Sequence, residues 1–346
     1  MKPFVSVVIP CRNEARFLPR CLDSILSGDY PADRMEVLAV DGSSSDGTRE
    51  CIRSYAQRDG RVRLVENPQG TTPAALNRGI EAARGEVIAR VDAHAAVARE
   101  YLSRAVAHLE TSGADNVGGT MRTLAQEDGP WAGAIVAALT HPFGVGNSYF
   151  RIGTGRPRWV DTVFGGCWRR QVFERVGRFN PELLRGQDLE FSLRLKAAGG
   201  RTLLAPDVRS DYYARTQLVS FWRNNFLNGQ WAILAFAYSP VIPVSLRHLI
   251  PLLLVLAVGA GAALLPWSGW PLAAVLLPYT AANLGASVHV AVTRRGIWYL
   301  ARMPAVFGTL HLGYGLGSVS GLIRAVGVVW KRGTPGPKEK TWLPQP

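Results

Sequence analysis

Cysteines and charged residues are both scarce in this chain of 346 residues, and each scarcity excludes a class of protein. The four cysteines form no Cys-x-x-Cys pair, which excludes a disulfide-stapled scaffold and a zinc ribbon. We therefore expect reduced thiols in a cytosolic environment. Charged residues make up 19% of the chain, against about 25% in an average soluble protein, and hydrophobic residues make up 47%. This composition excludes a disordered or low-complexity polar chain.

Acidic residues are almost absent from the C-terminal part of the chain. From residue 244 onward there are nine lysines and arginines but a single acid, Glu339. Within this part, Leu249 to Thr293 carries no charged residue, and a membrane-spanning helix needs about 20 residues. We predict two spans, near 243–265 and 271–292, rather than a buried helical hairpin of a soluble core. Basic residues flanking apolar segments are typical of a membrane anchor, so no nucleic-acid partner is expected.

A third apolar stretch, at 304–330, is interrupted by His311, Arg324 and many glycines. Basic residues precede and follow it, which predicts that both of its ends face the cytoplasm. We therefore favour an interfacial or re-entrant segment over a third span. The predicted organisation is a cytosolic domain at 1–240, with an interfacial helix near 217–236, and a membrane region at 241–346 that ends in a basic tail. The expected location is the cell (inner) membrane, with several crossings.

The N-terminal part alternates between strand-like and helical patterns. Met1-Lys-Pro3 leads directly into a strand-like run, so no signal peptide is expected at this end. Strand-like runs occur at 4–9, 36–40, 62–65 and 87–91, and helical patterns occur at 46–57 and 73–83. This alternation predicts an α/β fold with a mostly parallel sheet between helices. In such sheets ligands bind at the carboxyl ends of the strands.

Polar clusters follow three of these predicted strands. They are Pro10-Cys-Arg-Asn-Glu14, Asp41-Gly-Ser-Ser-Ser-Asp-Gly-Thr48 and Asp92-Ala-His94. Each cluster alone would also suit an ordinary turn or a helix cap. Three clusters at carboxyl strand ends predict one shared crevice.

These clusters, taken in order, resemble the motifs of inverting family-2 glycosyltransferases with the GT-A fold. The resemblance continues through Asn77-Arg-Gly-Ile80, Phe164-Gly-Gly-Cys-Trp-Arg-Arg170, Val176-Gly-Arg-Phe179 and Gly186-Gln-Asp-Leu-Glu190, and it spans roughly residues 3–231. The short apolar tail and Tyr314-Gly-Leu-Gly317 look most like exopolysaccharide glycosyltransferases of the succinoglycan type. The resemblance implies a GT-A nucleotide-diphospho-sugar transferase domain followed by a transmembrane helical hairpin.

The resemblance also implies which residues bind the nucleotide-sugar donor. Asp41 matches the aspartate that accepts a hydrogen bond from uracil, so a UDP-sugar is the expected donor. Pro10 and Glu14 match residues that line the base and ribose, with Arg12 beside them. Asn77 and Arg78 match a helix that faces the donor. Glu14 could instead cap a helix N-terminus, and Asn77 and Arg78 could instead lie on a solvated helical face.

Asp92 and His94 occupy the place of the family's Asp-x-Asp, which binds Mg²⁺ or Mn²⁺. A two-residue offset on an extended chain places both side chains on one face, so both could bind one ion. Imidazole suits Mn²⁺ better than Mg²⁺, and Mn²⁺ is therefore the favoured cofactor. The alternative is a loop histidine at position 94 without a metal contact.

Asp188 matches the family's catalytic aspartate, which takes a proton from the acceptor hydroxyl. The preceding residue is Gln187 instead of the usual glutamate, which removes a like charge from its neighbourhood. A carboxylate at this position would also simply stabilise the start of a helix. The family's processive Gln-x-x-Arg-Trp motif is absent from Trp222–Trp231, which suggests the addition of one sugar.

The sequence thus predicts transfer of one sugar to a membrane-borne, polyprenyl-linked saccharide in polysaccharide biosynthesis. Other polysaccharide-assembly enzymes are candidate partners. Two alternatives stay open at this point: a sugar nucleotidyltransferase on a related sheet, and a membrane scaffold without activity. The first would be expected to carry a Gly-rich basic loop after the first strand, and Cys11-Arg-Asn-Glu14 is not one.

Overall fold

A computed structural model of the chain describes residues 1–239, 241–242, 245–332 and 342–343. These residues form two compact units. The sheet unit consists of Met1–Arg122, Gly153–Tyr213 and tail residues 342–343, and the helical unit consists of Thr123–Ile152 and residues 214–332. This division differs from a single boundary near residue 240, because 123–152 belongs with the apolar helices and the tail belongs with the sheet.

The described residues of the sheet unit contain one sheet of nine strands. The strands are β1 (Val5–Cys11), β2 (Met35–Asp41), β3 (Val62–Glu66), β4 (Val87–Arg90), β5 (Ala95–Val97), β6 (Asn116–Ala125), β7 (Arg158–Val160), β8 (Phe164–Arg169) and β9 (Thr202–Ala214). Their order is β3-β2-β1-β4-β8-β6-β9-β5, and β7 pairs with β9. The predicted parallel pairing holds from β1 to β4, whereas β8 is antiparallel to β4 and to β6. The sheet is therefore mixed, as in GT-A folds.

Both faces of the parallel half are buried. Val7 and Ile9 of β1 point into one hydrophobic cluster, and the intervening Val8 points into another. Because successive side chains of a strand point to opposite faces, a strand covered on both sides needs a nearly continuous apolar run. The run that predicted β1 is therefore the signature of its place inside the sheet.

Helices of the sheet unit cover these two faces. Numbered along the whole chain, they are α1 (Leu18–Leu26), α2 (Thr48–Arg58), α3 (Thr72–Ala82), α4 (Tyr101–Ser112), α8 (Gln171–Val176) and α9 (Gln187–Ala197). Leu22 of α1 and Leu109 of α4 pack in the cluster that contains Val7, while Leu76 of α3 and Phe191 of α9 pack with Val8. The predicted helices at 46–57 and 73–83 correspond to α2 and α3.

The helical unit contains the remaining helices. They are α5 (Ala132–Leu139), α6 (Pro142–Val145), α7 (Tyr149–Ile152), α10 (Leu218–Leu234), α11 (Ile250–Ala263), α12 (Trp270–Thr293) and α13 (Trp298–Arg332). Three segments are long and apolar enough to cross a membrane, Leu246–Ala263, Trp270–Thr293 and Trp298–Val328. The first two correspond to the predicted spans.

For the third segment, the structure bears on one of its two predicted forms, the re-entrant one. Residues 304–330 lie within α13, an uninterrupted helix. A re-entrant segment would need a turn inside this range, and the structure has none there. An interfacial helix and a third crossing are the two arrangements that its length and composition allow.

Close backbone contact joins α13 to α10. A Cβ atom built at Gly317 would lie 1.9 Å from the carbonyl oxygen of Phe226, and one at Gly321 would lie 2.3 Å from that of Gln230. Gly313 approaches Trp222 in the same way, so the two helices run side by side in the same direction. Small residues at this spacing allow helix backbones to approach closely.

Candidate active site

The carboxyl ends of β1, β2 and β4 lie side by side. Cys11 at the end of β1 is paired with Asp41 at the end of β2, and Arg90 at the end of β4 is paired with Val8 of β1. All three strands are parallel, so the loops that follow them emerge at the same edge of the sheet. The three polar clusters therefore meet at one edge, as their positions in the sequence predicted.

The loops after β1 and β2 are joined by hydrogen bonds. The amide of Asn13 donates to Ser44 Oγ, and the amide of Ser45 donates to Asn13 Oδ1, each at 2.9 Å. The amide of Glu14 donates to Thr48 Oγ1 at 2.8 Å. Asn13 has a φ of 55°, a left-handed conformation that asparagine tolerates better than most residues. The interlocked loops give this edge of the sheet a fixed shape.

Asp41 is fully buried at this edge. The amide of Ser44 lies 3.4 and 3.3 Å from its two carboxylate oxygens, and Arg49 Nη1 lies 3.8 Å from Oδ2. A buried carboxylate needs hydrogen-bond donors, and these two contacts are long for that purpose. The position therefore suits a carboxylate that accepts a further hydrogen bond from a ligand.

Arg12 and Pro10 frame the same edge. The exposed Arg12 donates from Nη1 to the carbonyl oxygen of Gly70 at 2.9 Å, and it passes Gly42, where a Cβ atom would lie 3.3 Å from Arg12 Cβ. Pro10 is paired with Val40 inside the sheet and is partly exposed. Glycine at position 42 thus makes room for the arginine that the resemblance placed beside the nucleotide.

Glu14 forms a pair with His94. Its Oε1 lies 3.0 Å from His94 Nδ1, and because a carboxylate only accepts, Nδ1 carries the hydrogen. Burial lowers the pKa of His94, but the hydrogen bond to Glu14 and the charge of Asp92 outweigh burial and raise the pKa above its ordinary 6.5. The Glu14 carboxylate, which was expected near the ribose, therefore binds His94. Neither motif alone predicted this contact.

Asp92 is held by Arg90 at the end of β4. Arg90 Nε donates to Asp92 Oδ1 at 2.8 Å, and the arginine side chain is only 9% exposed. Burial raises the pKa of Asp92, but the charges of Arg90 and His94 outweigh burial and lower the pKa below its usual range. Asp92 is thus an ionised carboxylate at neutral pH.

Asp188 joins the same group of charges. It lies in the first turn of α9, which begins directly after Gly186 with its φ of 73°. Burial lowers the pKa of Arg90, but Asp92 and Asp188 outweigh burial and raise the pKa. Arg90 is therefore coupled to both carboxylates. Sequence reasoning did not single out Arg90. The signal that could have found it is an arginine in an otherwise apolar strand-like run, two residues before Asp92.

The residues present fit a divalent metal ion that the substrate helps to bind. Metal-binding histidines usually donate their second ring N–H to a carboxylate, as His94 Nδ1 does to Glu14, which leaves Nε2 for the ion. Arg90 contacts only Oδ1 of Asp92. No group of three or more His, Cys, Asp or Glu side chains suited to a metal occurs in the part of the chain that the structure describes. Phosphate oxygens and water would complete the coordination.

Glu190, in the same turn of α9, has a structural role. It forms a two-pronged ion pair with Arg194, with both distances 3.0 Å, and Glu190 is fully buried. Arg194 also donates to the carbonyl oxygens of Val176 and Arg178. The pair fixes the segment that leads into α9, and so the position of Asp188.

Asn77 also has a structural role, which differs from its predicted contact with the donor. Its Nδ2 donates to the carbonyl oxygen of Phe179 at 2.8 Å, and its Oδ1 accepts from the amide of Phe179 at 2.9 Å. The nitrogen and the oxygen of the Asn77 amide therefore both bond to the backbone of Phe179. Arg78, its neighbour on α3, is exposed.

Comparisons with known proteins identify the family of this chain. Residues 6–177 match the family Glycosyl transferase family 2. The chain is 30% identical over 314 residues to the succinoglycan biosynthesis protein ExoA of Rhizobium meliloti (strain 1021), covering 90% of this chain and 92% of that protein. It is 24% identical over 234 residues to the dolichyl N-acetyl-alpha-D-glucosaminyl phosphate 3-beta-D-2,3-diacetamido-2,3-dideoxy-beta-D-glucuronosyltransferase of Methanococcus voltae, covering 65% of this chain and 72% of that protein.

A solved structure has the same fold. The mannosyltransferase PcManGT from Pyrobaculum calidifontis, in complex with GDP-Man and Mn²⁺, superposes with a TM-score of 0.64 at 23% identity, covering 93% of this chain and 88% of that chain. The predicted GT-A fold is therefore confirmed, as is the resemblance to succinoglycan-type relatives. The family match and a 30% identical relative across nine-tenths of the chain show that this chain belongs to glycosyl transferase family 2 and is a glycosyltransferase.

Proposed function

We propose that the protein transfers one sugar, with inversion, from a nucleotide-diphosphate sugar to a polyprenyl-linked saccharide in polysaccharide biosynthesis. The observation that carries this proposal is the meeting of the polar loops after β1, β2 and β4 at one edge of the sheet, where Arg90 binds Asp92 and Glu14 binds His94. The names of two relatives, a succinoglycan biosynthesis protein and a transferase acting on a dolichyl-linked sugar phosphate, support the pathway and the lipid-linked acceptor.

Donor binding is assigned to the edge formed by β1 and β2. Asp41 would accept a hydrogen bond from the N–H of a uracil ring, which makes a UDP-sugar the expected donor. Pro10 and Arg12 would line the base and ribose, and the exposed Arg78 is available to the donor phosphates. Glu14 holds His94 in one ring orientation, and its predicted contact with the ribose stays a prediction.

The diphosphate end of the donor is assigned to Asp92 and His94. A divalent ion held by Asp92 and by Nε2 of His94 would neutralise the charge that develops on the leaving diphosphate. The imidazole ligand favours Mn²⁺, and the PcManGT complex contains this ion. Arg90 keeps Asp92 oriented and adds a buried positive charge beside it.

Acceptor activation is assigned to Asp188. In a single displacement, the acceptor hydroxyl forms a bond to the anomeric carbon while the bond from that carbon to the diphosphate oxygen breaks. The carboxylate of Asp188 takes the proton that the hydroxyl loses. Attack from the side opposite the leaving group inverts the anomeric centre. The positive charge of Arg90 would also offset the negative charges of Asp92 and Asp188.

The helical unit is assigned to the cell (inner) membrane, with the sheet unit in the cytoplasm. We propose that α11 and α12 cross the bilayer and that α10 and α13 lie along its surface. Helix α10 carries Arg223, Asn224, Asn225, Asn228 and Gln230, which would be costly inside the hydrocarbon core. Its close contact with α13 extends over Gly313 to Gly321, so that part of α13 shares its depth. Lipid-linked acceptors present their head groups at this surface, where other polysaccharide-assembly enzymes could also act.

A donor screen tests the proposal. Purified protein would be incubated with UDP- and GDP-sugars and a membrane extract, and the lipid-linked product would be analysed by mass. We expect one added sugar and an equal amount of released nucleoside diphosphate. Repeated addition would contradict the non-processive assignment. Release of pyrophosphate would indicate a nucleotidyltransferase, and no turnover with any donor would indicate a scaffold.

A further inference from the structure

The chain returns to the sheet unit after its last apolar helix. Trp342 is 8% exposed and belongs to the same compact unit as β1 to β9. Its backbone carbonyl oxygen accepts a hydrogen bond from the amide of Arg178 at 2.6 Å. Its indole ring lies 4.8 Å from the guanidinium carbon of Arg194. Within the described part of the tail, Trp342 thus contacts the sheet unit through a backbone hydrogen bond and a cation–π contact.

Arg194 is buried, and its guanidinium makes several hydrogen bonds. Glu190 binds it through two hydrogen bonds, and Arg194 donates further to the carbonyl oxygens of Val176 and Arg178. Four of the five N–H groups of this guanidinium donate in these bonds, and its flat faces remain for aromatic rings, which bind there favourably. Phe191, at 5.1 Å, and Trp342 provide such rings.

The segment 176–179, which Arg194 binds, is also bound by a residue of α3. Asn77 of α3 bonds both the amide and the carbonyl group of Phe179, directly after Arg178. The segment continues to Gly186 and into α9, where Asp188 precedes Glu190 by two residues. Trp342, Arg194 and Asn77 therefore fix the stretch of chain that places Asp188.

We propose that Trp342 is a positioning residue for glycosyl transfer, acting as a strap that holds the 176–179 segment directly and the start of α9 through Arg194 and its partner Glu190. The inference rests on the proposed role of Asp188 as the base. Trp342 lies far along the chain from the residues that match the family, which end at residue 177. The strap makes the geometry of the base depend on a part of the chain that follows the membrane segments.

The test compares three variants of the full-length protein, Trp342→Ala, Trp342→Phe and the matched control Leu343→Ala. Two quantities would be measured: amide hydrogen exchange of the peptide containing Arg178, and kcat and donor KM for sugar transfer. Trp342→Ala should speed exchange at Arg178 and lower kcat by roughly 10-fold with an unchanged donor KM, because misplacing a catalytic group reduces turnover steeply. Trp342→Phe keeps a ring over Arg194 and should restore most of kcat. Leu343→Ala should behave as wild type.

Each result decides a separate point. Unchanged exchange at Arg178 in Trp342→Ala would overturn the docking of the tail. Faster exchange with a wild-type kcat would overturn the positioning role, and so would equal losses in the Ala and Phe variants. If the wild-type protein transferred no sugar, the proposed function would fail, while the exchange measurement would still decide whether the tail docks.

Discussion

Arg90 binds Asp92 and lies among the charges of the proposed site. Asp41, Asp92, His94 and Asp188 could be found from the sequence because each lies in a short local motif at a strand or helix end. The pairing of Glu14 with His94 could not, because it depends on how β1 and β4 are aligned in the sheet. The two hydrogen bonds between the Asn77 side chain and the Phe179 backbone could not be predicted either, because they depend on how distant segments pack.

Replacement of Asp188 by asparagine tests the proposed base. Asp188→Asn keeps the shape of the side chain but cannot accept the proton, so kcat should fall by about 10²-fold or more with donor binding nearly unchanged. Steady-state kinetics and nucleotide-sugar titration would measure the two effects. Asp161→Asn is a suitable control, because Asp161 is an exposed carboxylate paired with Lys196 at 2.7 Å. A wild-type kcat in a folded Asp188→Asn protein would remove Asp188 from the mechanism.

His94 gives the proposed metal site a pH dependence of its own. The imidazole must be neutral to bind an ion, and Glu14 and Asp92 raise its pKa above 6.5 against the effect of burial. Protons therefore compete more strongly as the pH falls, and apparent Mn²⁺ affinity should decline on acidification through a range above pH 6.5. His94→Asp should move this decline toward the aspartate range near pH ~4 and improve the use of Mg²⁺.

The measurement is the metal concentration that gives half-maximal activity, determined across pH for both proteins. Asp161→Asn serves as a control here as well, since Asp161 pairs with Lys196 and has no part in the proposed donor or metal site. Identical pH curves for wild type and His94→Asp would show that His94 does not bind the ion.

Among the elements, α13 departs most from what its sequence suggested. Its glycines looked like interruptions of an apolar helix, whereas Gly313, Gly317 and Gly321 are the points where α10 approaches. Sequence reasoning could not distinguish an interrupted helix from a surface for helix packing, because the spacing of small residues does not identify the partner helix. Glycine also weakened the strand signal of β6, where a Cβ atom at Gly119 would lie 1.6 Å from the carbonyl oxygen of Val208. The parallel strands, which are rich in apolar residues and contain no glycine, are predicted within two residues of their observed bounds.

Two glycines of α13 offer a matched comparison. Gly317→Ala would place a methyl group against the backbone of Phe226, and overpacking of this kind costs about 1–3 kcal/mol. Gly308→Ala meets no atom within 4 Å and should stabilise the helix by about 0.5–1 kcal/mol. Thermal unfolding of the detergent-purified variants should therefore move in opposite directions. A similar midpoint for both would contradict the close contact between α10 and α13.

At the scale of the whole molecule, the chain enters the helical unit twice. Residues 123–152 leave the sheet unit between β6 and β7 and include α5, which packs with Phe307 and Met303 of α13. No motif marks this excursion, since α5 is a short apolar helix that would suit any core. A boundary near residue 240 was therefore the simplest expectation, although the compact units are made of discontinuous pieces.

Membrane topology follows from where Trp342 docks. Because residues 342–343 share a compact unit with the β-sheet, we predict that they lie on the same side of the bilayer as the sheet, with an even number of crossings between them. We expect Leu343→Cys to be protected from an impermeant thiol reagent in intact cells and to react after permeabilisation. Trp267→Cys, in the turn between α11 and α12, should react in intact cells and serves as the control.

The protein without an added cysteine gives the background labelling. This labelling should be low, because three of the four free cysteines are buried. Labelling of Leu343→Cys in intact cells would mean three crossings and would contradict both the placement of α13 on the surface and the docking of the tail.

Because Trp342 belongs to the sheet unit, the parts of the protein reach their final structure in a fixed order. The sheet strands and the candidate active-site loops are synthesised first, and every apolar helix follows before residue 342 is made. The residues that surround Arg194 can therefore be completed only after the membrane segments have left the ribosome. A glycosyltransferase built in this way would gain its full activity at the bilayer where its acceptor resides, and a chain released before insertion would stay a poor consumer of nucleotide sugars.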